Sequence, residues 1–265
     1  MHVEPGVYDL GARALEMKPY VDLEGSGEGM TTVTSSVETG YGTVVGSDNA
    51  ELRFLTIQNS GGGTLAIALS GDSVSPRLTR VTLTATGATV NFAFRFSNGS
   101  PALSQVTASA SGGSEAVALV NLGGSVSASN SAFRASNSAG LNAEVLSNYG
   151  GATRFSDSTL SASGGPVAIG FRAFNGTHAF TNATIGASAA TTSYGIYNGH
   201  KTSQSVVTIN QSRIAGGTRA LLAESGPVRI GASQLGGGVQ LGAAGTVTCA
   251  ASYDGSFQEL SPACS

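Results

Sequence analysis

Residues 154–164 read Arg154-Phe155-Ser156-Asp157-Ser158-Thr159-Leu160-Ser161-Ala162-Ser163-Gly164, and residues 179–188 read Ala179-Phe180-Thr181-Asn182-Ala183-Thr184-Ile185-Gly186-Ala187-Ser188. In both, a large apolar residue (Phe155, Phe180) stands five places before another (Leu160, Ile185), and a small one (Ala162, Ala187) follows two places later. Five is an odd spacing, so the two ends of that interval fall on opposite faces of a flat strand. Both can point inward only if the chain bends between them. Asp157 and Asn182 occupy the bend, and such residues tolerate the left-handed backbone conformation of a tight corner.

The same frame extends in both directions. One apolar column runs Ile57, Leu83, Ala108, Phe133, Leu160, Ile185, Ile214, Leu235, at intervals of 21 to 29 residues. Five places earlier a second column runs Leu52, Leu78, Leu103, Ala128, Phe155, Phe180, Ile209, Ile230. Arg80, Gln105, Asn130, Asp157, Asn182 and Gln211 take the bend. Glycines such as Gly87, Gly112 and Gly164 supply the next turns. A further alternating strand follows, as in Val90–Phe96 and Val167–Phe171, and ends at Asn98-Gly99 or Asn175-Gly176.

One repeat is therefore about three short strands joined by corners, with no helical period. Roughly 25 residues is too short for a four-stranded propeller blade of ~40–45 residues. It suits one coil of a single-stranded parallel β-helix, an all-β solenoid whose coils bury their inward rows against each other. The expectation is about 8 to 10 coils and, for the eight regular ones, a rod of roughly 40 Å. Residues 1–265 are expected to form a single unit: irregular first coils over 1–50, regular coils over 51–247 and a C-terminal cap over 248–265. An antiparallel sandwich is the competing fold; it would show hairpin turns and no fixed columns.

Composition excludes several roles. Glycine makes up 38 of 265 residues, charged residues only 11%, and the net charge is −3 with 13 Lys+Arg spread singly. A nucleic-acid or membrane-surface protein needs clustered cations, so neither partner is expected. No apolar run approaches the ~18 residues of a membrane span. The opening Met1-His2-Val3-Glu4-Pro5-Gly6-Val7-Tyr8 reads as strand and turn, with no basic-then-apolar leader. Cys249 and Cys264 close the last part of the chain, and a disulfide between them is expected, worth roughly 3 kcal/mol for a loop of ~15 residues. Two free thiols are the alternative. They form no metal site, since structural zinc usually takes four Cys/His ligands.

Phe155-Ser-Asp-Ser-Thr-Leu160, Phe180-Thr-Asn-Ala-Thr-Ile185 and Ile209-Asn-Gln-Ser-Arg-Ile214 resemble the short repeat of right-handed parallel β-helix proteins, the pectin-lyase-like superfamily. Glu4-Pro5-Gly6-Val7-Tyr8 with Val21-Asp22-Leu23-Glu24-Gly25-Ser26-Gly27 resembles the first coils of pectinesterase-like proteins. The likeness implies right-handed winding, a secreted or cell-surface setting and a polysaccharide as partner. That family's N-terminal capping helix has no counterpart here, which implies an exposed first edge open to self-association.

Enzymes of that superfamily carry paired carboxylates, basic residues or calcium ligands. Between Ser73 and Tyr253 this chain has four carboxylates, Glu115, Glu144, Asp157 and Glu224, no two adjacent in sequence. Gly199-His200-Lys201 is a fragment of a polygalacturonase-like Gly-His-Gly and reads as a loop. Asp9, Asp22, Glu24 and Glu28 read as solvated turn residues rather than a calcium site. Gly25–Gly29 lacks the Lys-Ser/Thr ending and following helix of a phosphate loop. No catalytic residue, metal or cofactor is expected, and a polysaccharide lyase or esterase is the competing reading.

Two surface features remain. Thr82, Thr84 and Thr86, then Thr107, Ser109 and Ser111, then Thr159, Ser161 and Ser163 form outward rows, broken by Ala132 and Arg134. Stacked at ~4.8 Å, they make a flat hydroxyl face, either a solubilising surface, a glycan contact or, as in ice-binding solenoids, an ordered array. Arg95 and Arg172 each precede a turn Asn by three residues and fall on one face three coils apart, at ~14 Å. With Tyr149, Tyr194 and Tyr197 they are candidates to hold an acidic sugar chain. The expected function is a non-catalytic structural or polysaccharide-binding module; a fibre, adhesin or tailspike fragment is a further alternative.

Overall fold

In a computed structural model that describes residues 1–136, 142–199 and 204–265, the chain winds into a right-handed parallel β-helix of about nine turns. No helix occurs among the described residues. Both sequence columns are interior files. Ile57 pairs with Leu83, Leu83 with Ala108, Ala108 with Phe133, Phe133 with Leu160, Leu160 with Ile185, Ile185 with Ile214 and Ile214 with Leu235. Five places earlier Leu52, Leu78, Leu103, Ala128, Phe155, Phe180, Ile209 and Ile230 stack in the same way and continue to Cys249. All are buried.

Each coil contributes to three sheets, named here the pre-bend, post-bend and third sheets. In one coil they are Ala102–Ser104, Thr107–Ser111 and Glu115–Leu122. The bend residue is left-handed throughout: φ is 51° at Arg80, 55° at Gln105, 50° at Asn130, 49° at Asp157, 51° at Asn182 and 48° at Gln211. Phe54, Ala232 and Ala251 extend the column with φ of 57°, 46° and 48°. The corner thus accepts side chains that sequence reasoning would not assign to it. Outside the corner, Arg80 donates to Gln105 at 3.0 Å, and Asn182 donates to Asp157 at 2.7 Å.

The residue after the bend is also buried, forming a third inward file that runs Leu55, Val81, Val106, Ser131, Ser158, Ala183, Ser212, Ser233, Ser252. Its lower part is apolar and its upper part is mostly serine. The hydroxyls do specific work. Ser212 Oγ accepts the Ala183 N–H at 3.0 Å and donates to Asn210 O at 2.7 Å. Ser233 Oγ accepts the Ser212 N–H at 3.0 Å and donates to Gly231 O at 2.6 Å. Ser131 and Ser158 repeat the arrangement. A corner amide facing inward lacks a strand partner, and a buried unpaired N–H costs roughly 1–3 kcal/mol. The serine of the next coil supplies the acceptor.

The third sheet carries a kink. Ladder pairing skips one position per coil, occupied by Ala93, Ala118, Val145, Gly170 and Gly195. Ala118 and Leu119 both belong to the core, so strict alternation fails there. Buried asparagines close the far end of this sheet: Asn121 donates to Asn148 Oδ1 at 2.6 Å and to the Gly124 and Gly150 carbonyls. Glycine is obligatory in the turn that follows. Gly151 (φ 79°) and Gly176 (φ 101°) lie over the backbone of the coil below, where a Cβ would run into the carbonyls of Gly124 and Gly151.

A polar group sits inside this core. His178 is fully buried beside Phe171, ring centroids 5.0 Å apart, in a file with Thr153 and Val207. Its Nε2 lies 3.0 Å from Asn175 O and its Nδ1 3.0 Å from Thr153 Oγ1, which fixes a neutral ring donating from Nε2 and accepting at Nδ1. Burial pulls its pKa down to about 4, only partly opposed by the Asn175 carbonyl.

At the C-terminus Cys249 and Cys264 are bonded, and the returning tail lays Pro262 O on Cys249 N and Leu260 N on Ser252 O. At the other end Gly6–Asp9 pairs only with Thr31–Ser35 among the described residues, and Val7 is 74% exposed.

Two stability measurements test these interior features. Ser212→Ala should lower the unfolding free energy by roughly 1–3 kcal/mol, whereas Ser161→Ala on the exposed post-bend face should change it by less than about 0.5 kcal/mol; equal effects would deny the serine ladder a role. Above pH 6.5 His178 is neutral in folded and unfolded chains alike. Below it the unfolded chain takes up a proton that the folded chain refuses until about pH 4, so stability should fall by roughly 2 kcal/mol between about pH 7 and about pH 5. In denaturant titrations His178→Gln should flatten that dependence.

Candidate functional site

The outward side of the third sheet gathers the polar chemistry. One file runs Val117, Glu144, Ile169, Tyr194, Arg219, and a second, across the kink from it, includes Arg95, Val120, Arg172, Tyr197 and Leu222. Arg95 and Arg172 therefore share a file three coils apart, as their spacing from the turn asparagines requires. They do not share an environment. Arg95 lies near Asp72, whose carboxyl is held below its usual range mainly by the Ser97 hydroxyl, with Arg95 a lesser contributor.

Arg172 is the centre of a compact cluster. Its guanidinium lies 2.8 Å from Glu144, a carboxylate only 3% exposed. It is flanked by the Phe174 ring, 5.6 Å away, and the Tyr197 ring, 5.4 Å away. Phe174 in turn stacks on Tyr149 at 4.7 Å with planes 19° apart. Tyr194 packs 6.0 Å from Tyr197, whose hydroxyl donates to Glu224 at 2.7 Å. Strand register places Arg172 and Tyr197 on neighbouring coils, so the stack follows the rod axis. Arg172 Nε is buried without a hydrogen-bond partner.

Three of the four central carboxylates belong here. Glu115, half-buried one coil below Asn142, has its pKa raised by burial, with Arg172 pulling the other way. Tyr197 is pushed up to about 12, first by burial and then by the Glu224 carboxylate that accepts its proton and repels a phenolate. At neutral pH the cluster holds a phenol, one guanidinium and carboxyl groups in unlike surroundings. Sequence reading treated these carboxylates as isolated. The charge it expected Arg172 to offer an acidic sugar is engaged by Glu144. Parity flags Glu144 only once the kink between it and Arg172 is known.

The other candidates fall elsewhere. Thr82 stacks on Thr107, and Thr84 on Ser109, with Ala132 and Arg134 next and Thr159 and Ser161 beyond. Ser111 aligns with Ser136 and Ser163, while Thr86 lies just past the strand Arg77–Ala85. Glu28 closes the lower end of this face by accepting Thr82 Oγ1 at 2.9 Å. The N-terminal acids are organised rather than merely solvated: Arg53 lies 2.7 Å from Glu24, 3.2 Å from Glu51 and 3.8 Å from Asp22. His200 and Lys201 lie outside the described residues. Among the described residues no group of three His, Cys, Asp or Glu side chains is placed to hold a metal ion.

A spectrophotometric alkaline titration tests the Tyr197 environment. Ionisation of one tyrosine should be displaced to about pH 12 and vanish from the profile in Tyr197→Phe. Glu224→Gln should bring it down, because the repelling charge is gone; an unmoved profile in both variants would contradict the Tyr197–Glu224 contact.

No protein-family model matches the chain, and no curated protein matches it. Among solved structures it is similar to the A-module of the mannuronan C-5 epimerase AlgE4 of Azotobacter vinelandii, at 12% identity over 96% of this chain and 84% of that one, TM-score 0.49. It is also similar to a pectin methylesterase of Yersinia enterocolitica, at 13% identity over 99% and 87%, TM-score 0.43. A third is the pectin methylesterase PemA of Erwinia chrysanthemi, at 12% identity over 99% and 82%, TM-score 0.36.

Proposed function

We propose that this chain is a polysaccharide-contacting β-helix and that the outward side of its third sheet is the contact face. The observation that carries the reading is the stack Tyr149–Phe174–Arg172–Tyr197, flanked by Tyr194 and by Glu115 and Glu224. Tyr149 is 51% exposed, so an aromatic face is open to solvent beside groups that can bond sugar hydroxyls. Rings ordered by stacking present apolar area at low entropic cost, and their polar tips fix orientation. Because Glu144 engages Arg172 and two further carboxylates stand nearby, the face suits a neutral or weakly charged stretch of glycan better than a densely acidic one.

A second reading is an enzyme acting on such a chain. It is favoured by the carboxyl groups around Arg172 and Tyr197. Glu115 is biased toward its protonated form by burial, while Glu144 lies 2.8 Å from a guanidinium. Two carboxyls in such unlike surroundings can divide the acid and base roles of glycosidic bond cleavage.

Affinity electrophoresis of the full chain through gels carrying different polysaccharides tests the binding reading. Retardation by at least one glycan is expected, weakened roughly tenfold or more by Tyr149→Ala or Tyr194→Ala, as for a central aromatic contact. No retardation on any polysaccharide would overturn it. Product analysis on the retarding glycan separates the two readings: turnover abolished by Glu115→Gln and by Glu144→Gln establishes the enzyme.

A further inference from the structure

A different face carries positive charge in a regular pattern. On the outward side of the pre-bend sheet one file runs Arg77, Ala102, Ser127, Arg154, Ala179, Thr208, Arg229. An arginine therefore recurs every third coil, twice over. At the ~4.8 Å strand spacing the interval is about 14 Å and the whole file about 29 Å. The neighbouring outward file, Thr79, Ser104, Ser129, Ser156, Thr181, Asn210, contributes short polar groups.

Small residues between large ones leave a trough. A concavity of about 480 Å³ spans Arg77 to Arg154 over the short side chains of Ala102, Ser104, Ser127 and Ser129. A second of about 330 Å³ lies against Arg229 beside Thr208 and Thr248. Both follow the rod axis and cross the strands. Charge is not balanced within them. At the lower end Glu51 takes Arg77 at 3.7 Å and the Thr79 hydroxyl at 2.6 Å. Above it neither file contains an acidic residue up to Ala250, and Arg154 and Arg229 are exposed with no acidic partner among the described residues. Asp157, at the adjoining corner, is held by Asn182.

We infer that this trough is a binding site for a linear anionic glycan lying along the rod axis. The length suits an extended polymer rather than a small molecule or a folded domain. Hydroxyl-lined walls can bond sugar hydroxyls, and arginine donates a planar fork to carboxylate or sulfate. A nucleic acid fits poorly. A duplex carries one charge per ~1.7 Å of axis, far denser than these cations, and the two files present no aromatic ring on which single-stranded bases could stack. The inference does not rest on the third-sheet reading, because the two faces share no residue.

The test uses the full chain on beads carrying polygalacturonate, dextran sulfate, neutral dextran, duplex DNA or polyglutamate. Retention on polygalacturonate or dextran sulfate, but not on neutral dextran, is expected, and which of the two binds identifies the charged group. Single Arg154→Ser or Arg229→Ser changes should weaken binding about twofold, and the Arg77→Ser/Arg154→Ser/Arg229→Ser variant roughly tenfold. The matching triple Lys variant should keep most of it, and Arg13→Ser, at an exposed arginine outside both files, should leave it unchanged. All three positions face outward, and a thermal melt checks that the variants fold. Unaltered retention of the triple Ser variant, equal retention on neutral dextran, or stronger retention on DNA or polyglutamate would overturn the inference.

Discussion

The fold depends on one backbone position, the left-handed corner between the pre-bend and post-bend sheets. From Phe54 to Ala251 it is held near φ +50° by residues as unlike as Phe, Arg, Gln, Asn, Asp and Ala. For a residue other than glycine that conformation costs roughly 1–2 kcal/mol. The corner persists because the residues around it are inward and buried: Phe155 before it, Ser158 and Leu160 after it. Burial of an apolar side chain contributes ~1.5–3 kcal/mol, enough to offset the strained torsion in each coil. The geometry is thus imposed by the flanking columns, and the corner residue is free to vary.

That freedom explains what could be read from the sequence. The columns through Leu160 and Phe155 follow from apolar spacing alone, and with them the three-strand coil. Asn130, Asp157 and Asn182 pointed to the corner because their chemistry suits it, but Phe54, Ala232 and Ala251 occupy it without any such signal. The serine file was hidden for a related reason. Ser131, Ser158 and Ser212 look like surface residues, and only the unmet amide of the neighbouring coil shows why they are interior.

The cluster on the third sheet was half legible. Arg95 and Arg172 were placed correctly because both are counted back from a turn asparagine, on the near side of the kink. Glu144 lies beyond the kink, where two consecutive inward residues shift the parity, and Glu115 and Glu224 are remote in sequence. Stacked register brings them to Arg172 and Tyr197. The arginine file of the pre-bend sheet needed no new rule. Arg77, Arg154 and Arg229 follow from the same repeat that gave the interior columns, read on its outer side.

Because coils stack as near-identical rungs, distance along the rod is quantised. Two outward charges in one file can be separated by a whole number of rungs and by nothing between. Gain or loss of one complete turn would leave the interior files continuous, yet it would move Arg154 relative to Arg77 by one full step. The solenoid therefore acts as a molecular ruler whose graduations are inherited as units, so that spacing of surface groups can evolve by duplication without disturbing what lies inside.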